Sequence, residues 1–161
     1  MNRRAFVSGL AASAGLANSL IAQPPAARRP EGRDRLIMDA MGELRPEYEP
    51  ALIRQMLSSG LDSITITLCD PKPEGAQALE LAVDSLFKHD RFLAKNPEFF
   101  LKATSVRDVE TARRLGKMAV FYLYQNTVQF GQDLDRIDMF HGLGLRNCQL
   151  TYNTRNHVGV G

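Results

Sequence analysis

Apolar residues recur with two different periods along the chain, and the two periods alternate from about residue 35 onward. Short, β-branched or continuously apolar runs predict strands, whereas apolar residues spaced three or four apart predict helices. The predicted strands cover residues 35–41, 61–69, 97–104, 117–125 and 145–153, and the predicted helices cover residues 50–60, 76–93, 105–116 and 131–144. Near-continuous apolar strands that alternate with helices favour a parallel sheet with crossover connections.

The predicted helices carry their own boundary signals. Pro50 stands near the start of the first helix and Gly60 follows its end, while Ser105 and Asp108 have the spacing of a capping box. Helical spacing predicts that the third and fourth helices turn these residues inward: Val106, Val109, Ala112 and Leu115 in the third, and Leu134, Ile137, Phe140 and Leu143 in the fourth.

Polar residues follow the predicted strands, where the chain leaves the sheet. They are Asp39, Glu43, Asp70, Thr104, Gln125, Asn126, Tyr152 and Asn153. In (β/α) barrels the loops at this end of the strands carry the active site. The pattern therefore predicts an α/β fold, a partial (β/α) TIM-type barrel with about five parallel strands and four intervening helices, with an open parallel sheet as the alternative.

The first 34 residues have a different pattern. Residues 1–22 combine Arg3 and Arg4 with an apolar, Ala- and Gly-rich stretch and a small-residue end, which is the layout of a twin-arginine-type signal peptide. A membrane anchor is the alternative, but the stretch is short for a span. Residues 23–34 are rich in Pro and Arg and read as a disordered linker. We expect residues 35–161 to fold and the protein to be exported, to the periplasm or outside the cell.

Composition narrows the function classes. The chain has 161 residues, of which 44% are hydrophobic, and a formal net charge of +2, so one domain of ordinary globular composition is expected. Such a small charge, together with the absence of Trp, argues against nucleic acid as a partner. Cys69 and Cys148 lie in or beside apolar runs, and we expect buried free thiols.

The histidines do not form a recognisable site. His89 lies in a charged "KHD" stretch and is expected to be exposed, His141 lies near a helix C-terminus, and His157 alone falls on the presumed functional face. The chain contains no HxH or HExxH spacing and no GxSxG nucleophile motif.

The polar residues by themselves leave two interpretations open. Asp39 and Glu43 could ligate a cation, or they could belong to a solvated loop before the first helix. Gln125 and Asn126 could hydrogen-bond a substrate amide or carboxylate, or they could satisfy loop backbone.

Specific stretches resemble the membrane (renal-type) dipeptidase family of metallopeptidases, which are relatives of the amidohydrolases. The stretch "FHGLGLRNCQLTYNTRN" is similar to that family's "lGvR…LTHn…N" run, and "RLIMDAMGEL" falls where the family has "DGHND". The stretch "PEFFLKATSVRDVETARRLGKMAVF" falls where the family's intervening helices lie. The resemblance extends from about residue 35 to residue 161 and corresponds to the front half of such an enzyme.

The resemblance implies a two-zinc centre for dipeptide hydrolysis, and it places the family's site on particular residues. The first-strand histidine ligand falls on Met41, the aspartate ligand on Glu43 and the bridging glutamate on Gln125. The histidine near the substrate falls on Tyr152. Asn153 and Asn126 are further candidates for substrate binding, and no catalytic residue is assigned. Met is a poor zinc ligand beside carboxylates and Gln is neutral, so zinc is expected from the family but its occupancy here is doubtful.

Three hypotheses follow from this resemblance. The first is an exported dipeptidase-like metallohydrolase that is incomplete in this chain and inactive as a fragment. The second is a non-catalytic relative that binds a peptide or another small ligand. The third is a truncated product that does not fold stably alone, because half a barrel leaves strand edges unpaired. The expected partners are a small peptide-like substrate and the twin-arginine export machinery. A second copy of the chain, in a homodimer, is a further candidate partner.

Overall fold

The computed structural model describes residues 35–161, so the predicted signal peptide and linker lie outside the described residues. Within this range the strands are β1 (Met38–Gly42), β2 (Ser63–Thr67), β3 (Phe100–Lys102), β4 (Met118–Tyr124) and β5 (Leu145–Cys148), and the α-helices are α1 (Pro50–Ser58), α2 (Gly75–Lys95), α3 (Val106–Arg114) and α4 (Asp135–Gly142). The α/β arrangement of five parallel strands and four intervening helices is confirmed, with most elements shorter than predicted.

Strand β4 is the centre of the sheet, and every pairing in it is parallel. β2 lies along one edge of β4, and β1 lies beyond β2. β3 and β5 share the other edge of β4: β3 pairs with residues 118–120, and β5 pairs with residues 122–124. At the carboxyl ends of the strands the order around the sheet is therefore β1, β2, β4 and β5.

The position of β3 puts helices on both faces of the sheet. Met118, Val120, Tyr122 and Tyr124 of β4 belong to the core cluster that contains buried residues of α1, α2 and α4. The alternate residues Ala119 and Phe121 pack instead with Val109 and Ala112 of α3. The chain runs backward across the sheet from β3 to β4, and a right-handed crossover in that direction places its helix on the opposite face.

All seven residues of β4 are buried, which agrees with its continuously apolar sequence. β1 has the opposite character, because it lies at the edge of the sheet and four of its five residues are exposed. The candidate site lies where β1 meets the buried strands. It is therefore bounded by buried strands on one side and by an exposed edge strand on the other.

The inward faces predicted for α3 and α4 are correct only in part. Phe140 is the single buried side chain of α4, whereas Leu134 is 74% exposed and Ile137 is also exposed. In α3, Val109 and Ala112 are buried, but Val106 and Leu115 are exposed. Val106 is the first residue of α3, and Leu115 and Leu134 lie just outside the helices, because both helices are shorter than the sequence predicted.

A polar cluster fills the junction between β3 and β5. The Nζ atom of Lys102 donates to Asp90 Oδ1 at 2.6 Å and to the carbonyl oxygen of Leu143 at 2.8 Å, and it lies 4.8 Å from the centroid of the Tyr122 ring. Position 144, beside Lys102, requires glycine because the φ of Gly144 is +103°. A Cβ at this position would also lie 2.5 Å from Lys102 Cε. The cluster therefore joins α2, β3 and the loop after α4.

No helix among residues 35–161 has both the length and the apolar character needed to cross a membrane.

Candidate functional site

An open cleft of about 640 Å³ lies at the carboxyl ends of β1, β2 and β4. The chemistry-bearing residues that line it are Met41, Glu43, Arg45, Thr67, Cys69, Asp70, His89 and Gln125. Its volume is within the range of ordinary small-ligand sites, about 300–1,000 Å³. The structure therefore brings together the three residues that the sequence assigned to metal positions, Met41, Glu43 and Gln125.

Met41 and Gln125 contact each other across the cleft. The Nε2 atom of Gln125 donates to the Sδ atom of Met41 at 3.7 Å. A thioether is a weak acceptor, so this contact leaves the Gln125 carbonyl oxygen available to a ligand.

Glu43 is already paired with a cation. Both Nε and Nη2 of Arg45 donate to Glu43 Oε1, at 2.7 and 2.5 Å. This hydrogen bond raises the pKa of Arg45 above its ordinary value. A metal ion at Glu43 would have to compete with a guanidinium group that already neutralises the carboxylate.

The three residues assigned to substrate binding lie elsewhere. Asn126 is buried, and its Nδ2 donates to the carbonyl oxygen of Pro71 at 2.5 Å, which ties the loop after β4 to the loop after β2. Tyr152 and Asn153 are exposed on the segment after β5, and among the described residues neither lines the cleft. The roles of these three residues toward a substrate stay predictions. In the structure Asn126 fixes the loop that carries its neighbour Gln125.

The expectation that His89 is exposed is wrong. His89 is 8% exposed, lies on α2 and lines the cleft. Its position four residues after Ser85 brings Nδ1 within 2.8 Å of the Ser85 carbonyl oxygen. The charged neighbours in "KHD" suggested a solvent-facing residue, but the period of α2 places His89 on its inward side.

Cys69 and Cys148 are free thiols and partly buried. β4 separates them, because Cys69 follows β2 and Cys148 pairs with Tyr124 of β4. Two strand spacings amount to about 9.6 Å, which exceeds the roughly 7 Å between Cα atoms that a disulfide tolerates. Burial raises the pKa of each thiol to about 11, so neither is a ready thiolate ligand.

The residues present do not fit a two-zinc centre. No three His, Cys, Asp or Glu side chains in the described part of the chain come close enough together to hold a metal ion. At the family's ligand positions the chain offers a thioether, a carboxylate held by Arg45 and a neutral amide. Two divalent cations need several anionic or imidazole ligands, which this set does not supply.

Comparison with known proteins identifies a matching family and several solved structures with a similar fold. The sequence model of the membrane dipeptidase family, peptidase family M19, matches residues 47–160. An amidohydrolase from Pseudomonas aeruginosa superposes with a TM-score of 0.69 at 22% identity, over 80% of this chain and 37% of that chain. The dipeptidase AC, a metallopeptidase, gives a TM-score of 0.62 at 16% identity, over 73% of this chain and 43% of that chain.

A metallopeptidase from Rhodobacter sphaeroides, crystallised with a phosphinate mimic of the dipeptide L-Ala-D-Ala, gives a TM-score of 0.59 at 13% identity, over 70% of this chain and 44% of that chain. The chain thus spans less than half the length of these solved relatives, and the likeness to them shows a shared fold. No curated protein matched the sequence. The match of the family's sequence model to most of the chain shows that the protein belongs to the membrane dipeptidase family, peptidase family M19.

Proposed function

We propose that the protein acts on dipeptide-sized peptides in the cleft at the carboxyl ends of its strands, as a dipeptidase-like hydrolase. The observation that carries this proposal is the convergence of Met41, Glu43 and Gln125, from two different strand ends, in one cleft of about 640 Å³. Family membership supports the same substrate class, since the family is one of metal-dependent dipeptidases.

The cleft offers donors and acceptors suited to a peptide. Gln125 is partly buried and presents an amide that can pair with a peptide bond, since it has both a carbonyl oxygen and an N–H group. Arg45 supplies positive charge at one side, and its Nη1 is not used in the pair with Glu43. These groups bind and orient a peptide, whereas zinc, the metal that the family resemblance implies, finds few suitable ligands among them.

A second candidate function is peptide binding without hydrolysis. The ion pair between Arg45 and Glu43 favours it, because that pair occupies the one carboxylate that matches a family ligand position. We therefore expect the purified protein to hold fewer than two zinc ions per chain, and elemental analysis measures this directly.

The experiment that separates the two candidates uses the full chain and L-alanyl-L-alanine or L-alanyl-D-alanine. Alanine release is followed by mass spectrometry with added zinc and with a chelator, and binding of the intact dipeptide is measured by calorimetry. Release that the chelator abolishes supports the hydrolase, and binding without release supports the second candidate. A chain that neither binds nor cleaves either dipeptide contradicts the proposal.

We also propose that residues 1–22 direct export through the twin-arginine pathway. The support is the Arg3–Arg4 pair ahead of the apolar stretch. A folded fluorescent reporter fused to residues 1–34 should reach the periplasm, and replacing both arginines by lysine should retain it in the cytoplasm. Export of the double-lysine fusion at the original level would contradict this route.

A further inference from the structure

A shallow groove of about 480 Å³ runs along one side of α2, and every residue that lines it belongs to that helix. The lining residues are Ala76, Leu79, Glu80, Val83, Asp84, Phe87 and Arg91. Phe87 is 44% exposed, and Leu79 and Val83 are only partly covered by the core. No other element between residues 35 and 161 lines the groove, so α2 presents an apolar strip with a charged rim, which is typical of an interaction surface.

The charges on this rim are separated along the helix. Glu80 and Asp84 lie in the first half of α2, whereas Arg91 lies near its end. Asp84 is paired with Lys88 at 2.7 Å, but neither Glu80 nor Arg91 forms an ion pair with another described residue. Glu80 and Arg91 lie about 16 Å apart along the helix axis, which is too far for a pair within one chain.

A face with this pattern complements a second copy of itself. When two copies of α2 pack antiparallel about a two-fold axis, the first half of each helix lies against the last half of the other. An axis that passes between Asp84 and Phe87 places Glu80 of each copy opposite Arg91 of the other. The axis repeats this contact, so two ion pairs flank an apolar centre that Val83 and Phe87 of both copies provide.

We propose that this face of α2 is a dimer interface, at which two copies of the chain pack antiparallel with Glu80 of each against Arg91 of the other. A partner with charge of a single sign would match only one end of the face, whereas a second copy matches both ends. One pair of helices makes an interface at the small end of the range for specific complexes, so we expect a weak dimer with a micromolar dissociation constant. The groove shares no residue with the cleft, so this inference goes beyond the proposed function and does not depend on it.

The test is sedimentation velocity on the full chain across the micromolar range, with charge reversals of the proposed pair. Glu80→Arg and Arg91→Glu each turn two attractive contacts into two repulsive ones, because the axis repeats every contact. The two changes together restore opposite charges across the interface. Since Glu80 and Arg91 are too far apart to pair within one chain, restored dimerisation reports contact between two copies.

The apolar centre is tested by Phe87→Ser. Leu81→Ser is the matched control, because Leu81 lies on the same helix, is 36% exposed and does not line the groove. Thermal melts show whether each variant is folded. If Phe87→Ser does not fold, the reversals at the exposed Glu80 and Arg91 decide alone.

The unmodified chain should dimerise, and each single reversal should raise the dissociation constant at least about fivefold, as expected for two partly exposed ion pairs. The double reversal should return the constant to within about twofold of its original value, since the number of attractive pairs is the same. Phe87→Ser should raise it at least about tenfold because two apolar contacts are lost, and Leu81→Ser should leave it unchanged. A chain that stays monomeric, folded single reversals that dimerise like the unmodified chain, or a double reversal as weak as the single ones overturns the inference.

Discussion

Phe140 is the residue through which α4 is attached to the sheet, and its removal gives the sharpest test of the fold. It is 0% exposed and is the only buried side chain of α4. Its ring centroid lies 5.3 Å from that of Tyr124 and 5.7 Å from that of Phe130. A helix of eight residues is not stable without such packing, so α4 depends mainly on the burial of Phe140.

Replacing Phe140 by Ala should lower the free energy of unfolding by about 3–5 kcal/mol, the usual cost of deleting a buried Phe side chain. The upper part of that range is expected, because Tyr124 cannot move into the space while its hydroxyl donates to the Ala82 carbonyl oxygen at 2.8 Å. Urea denaturation followed by circular dichroism measures the change on the full chain.

Met139→Ala is the matched control, because Met139 lies on the same helix and is 42% exposed. It should cost less than about 1 kcal/mol. Phe140→Leu should fall between the two, since Leu refills part of the space. If Phe140→Ala and Met139→Ala lower the free energy of unfolding by the same amount, α4 is not held by Phe140 and the packing described here is wrong.

Three other predictions test the site, a helix cap and the thiols. Changing Met41 to His together with Gln125 to Glu should raise zinc affinity at least about tenfold, because imidazole and carboxylate replace poor ligands. Competition with a chromophoric chelator measures the affinity. No gain over either single variant would show that these residues are misplaced. Asp108→Asn should cost about 1 kcal/mol at pH 7, since Oδ2 of Asp108 accepts the Thr104 and Ser105 backbone N–H groups at 2.8 and 2.9 Å. These hydrogen bonds, chiefly that from Thr104, lower the pKa of Asp108. The stability that Asp108 adds over Asn is therefore present at neutral pH and is lost as the pH falls through the lowered pKa. A difference in stability between the two proteins that persists in melts at pH 2 would contradict this. Both cysteines should react slowly with iodoacetamide at pH 8 and faster toward pH 11, because burial raises each pKa to about 11; mass spectrometry that shows alkylation at pH 8 as fast as that of free cysteine would refute it.

The local elements could be predicted from the sequence because they depend on spacing along the chain. The continuously apolar run of β4 predicted a strand buried on both faces, and all seven of its residues are buried. The Ser105 and Asp108 pair predicted the start of α3, and the Asp108 carboxylate does accept the Ser105 backbone N–H. The convergence of Met41, Glu43 and Gln125 also followed, since the carboxyl ends of parallel strands meet at one edge of a sheet.

The roles of individual polar residues could not be predicted in the same way. His89 is buried although its sequence neighbours are charged, and Asn126 is used to hold Pro71 and its loop. Glu43 is paired with Arg45, two residues further along the chain, and nothing in their spacing distinguishes a pair from two solvated charges. Whether a polar group faces solvent, a ligand or another side chain depends on what packs over it.

The order of the strands was likewise decided only in three dimensions. The sequence by itself determined which segments form strands and helices, since these follow from the periods of 2 and 3.6 residues that backbone geometry imposes. It did not determine that β3 pairs at the far edge of β4, or that α3 therefore covers the opposite face from the other three helices. Strand pairing and helix placement join residues far apart in the chain, so they depend on the combined packing of the whole sheet and only the tertiary structure settles them.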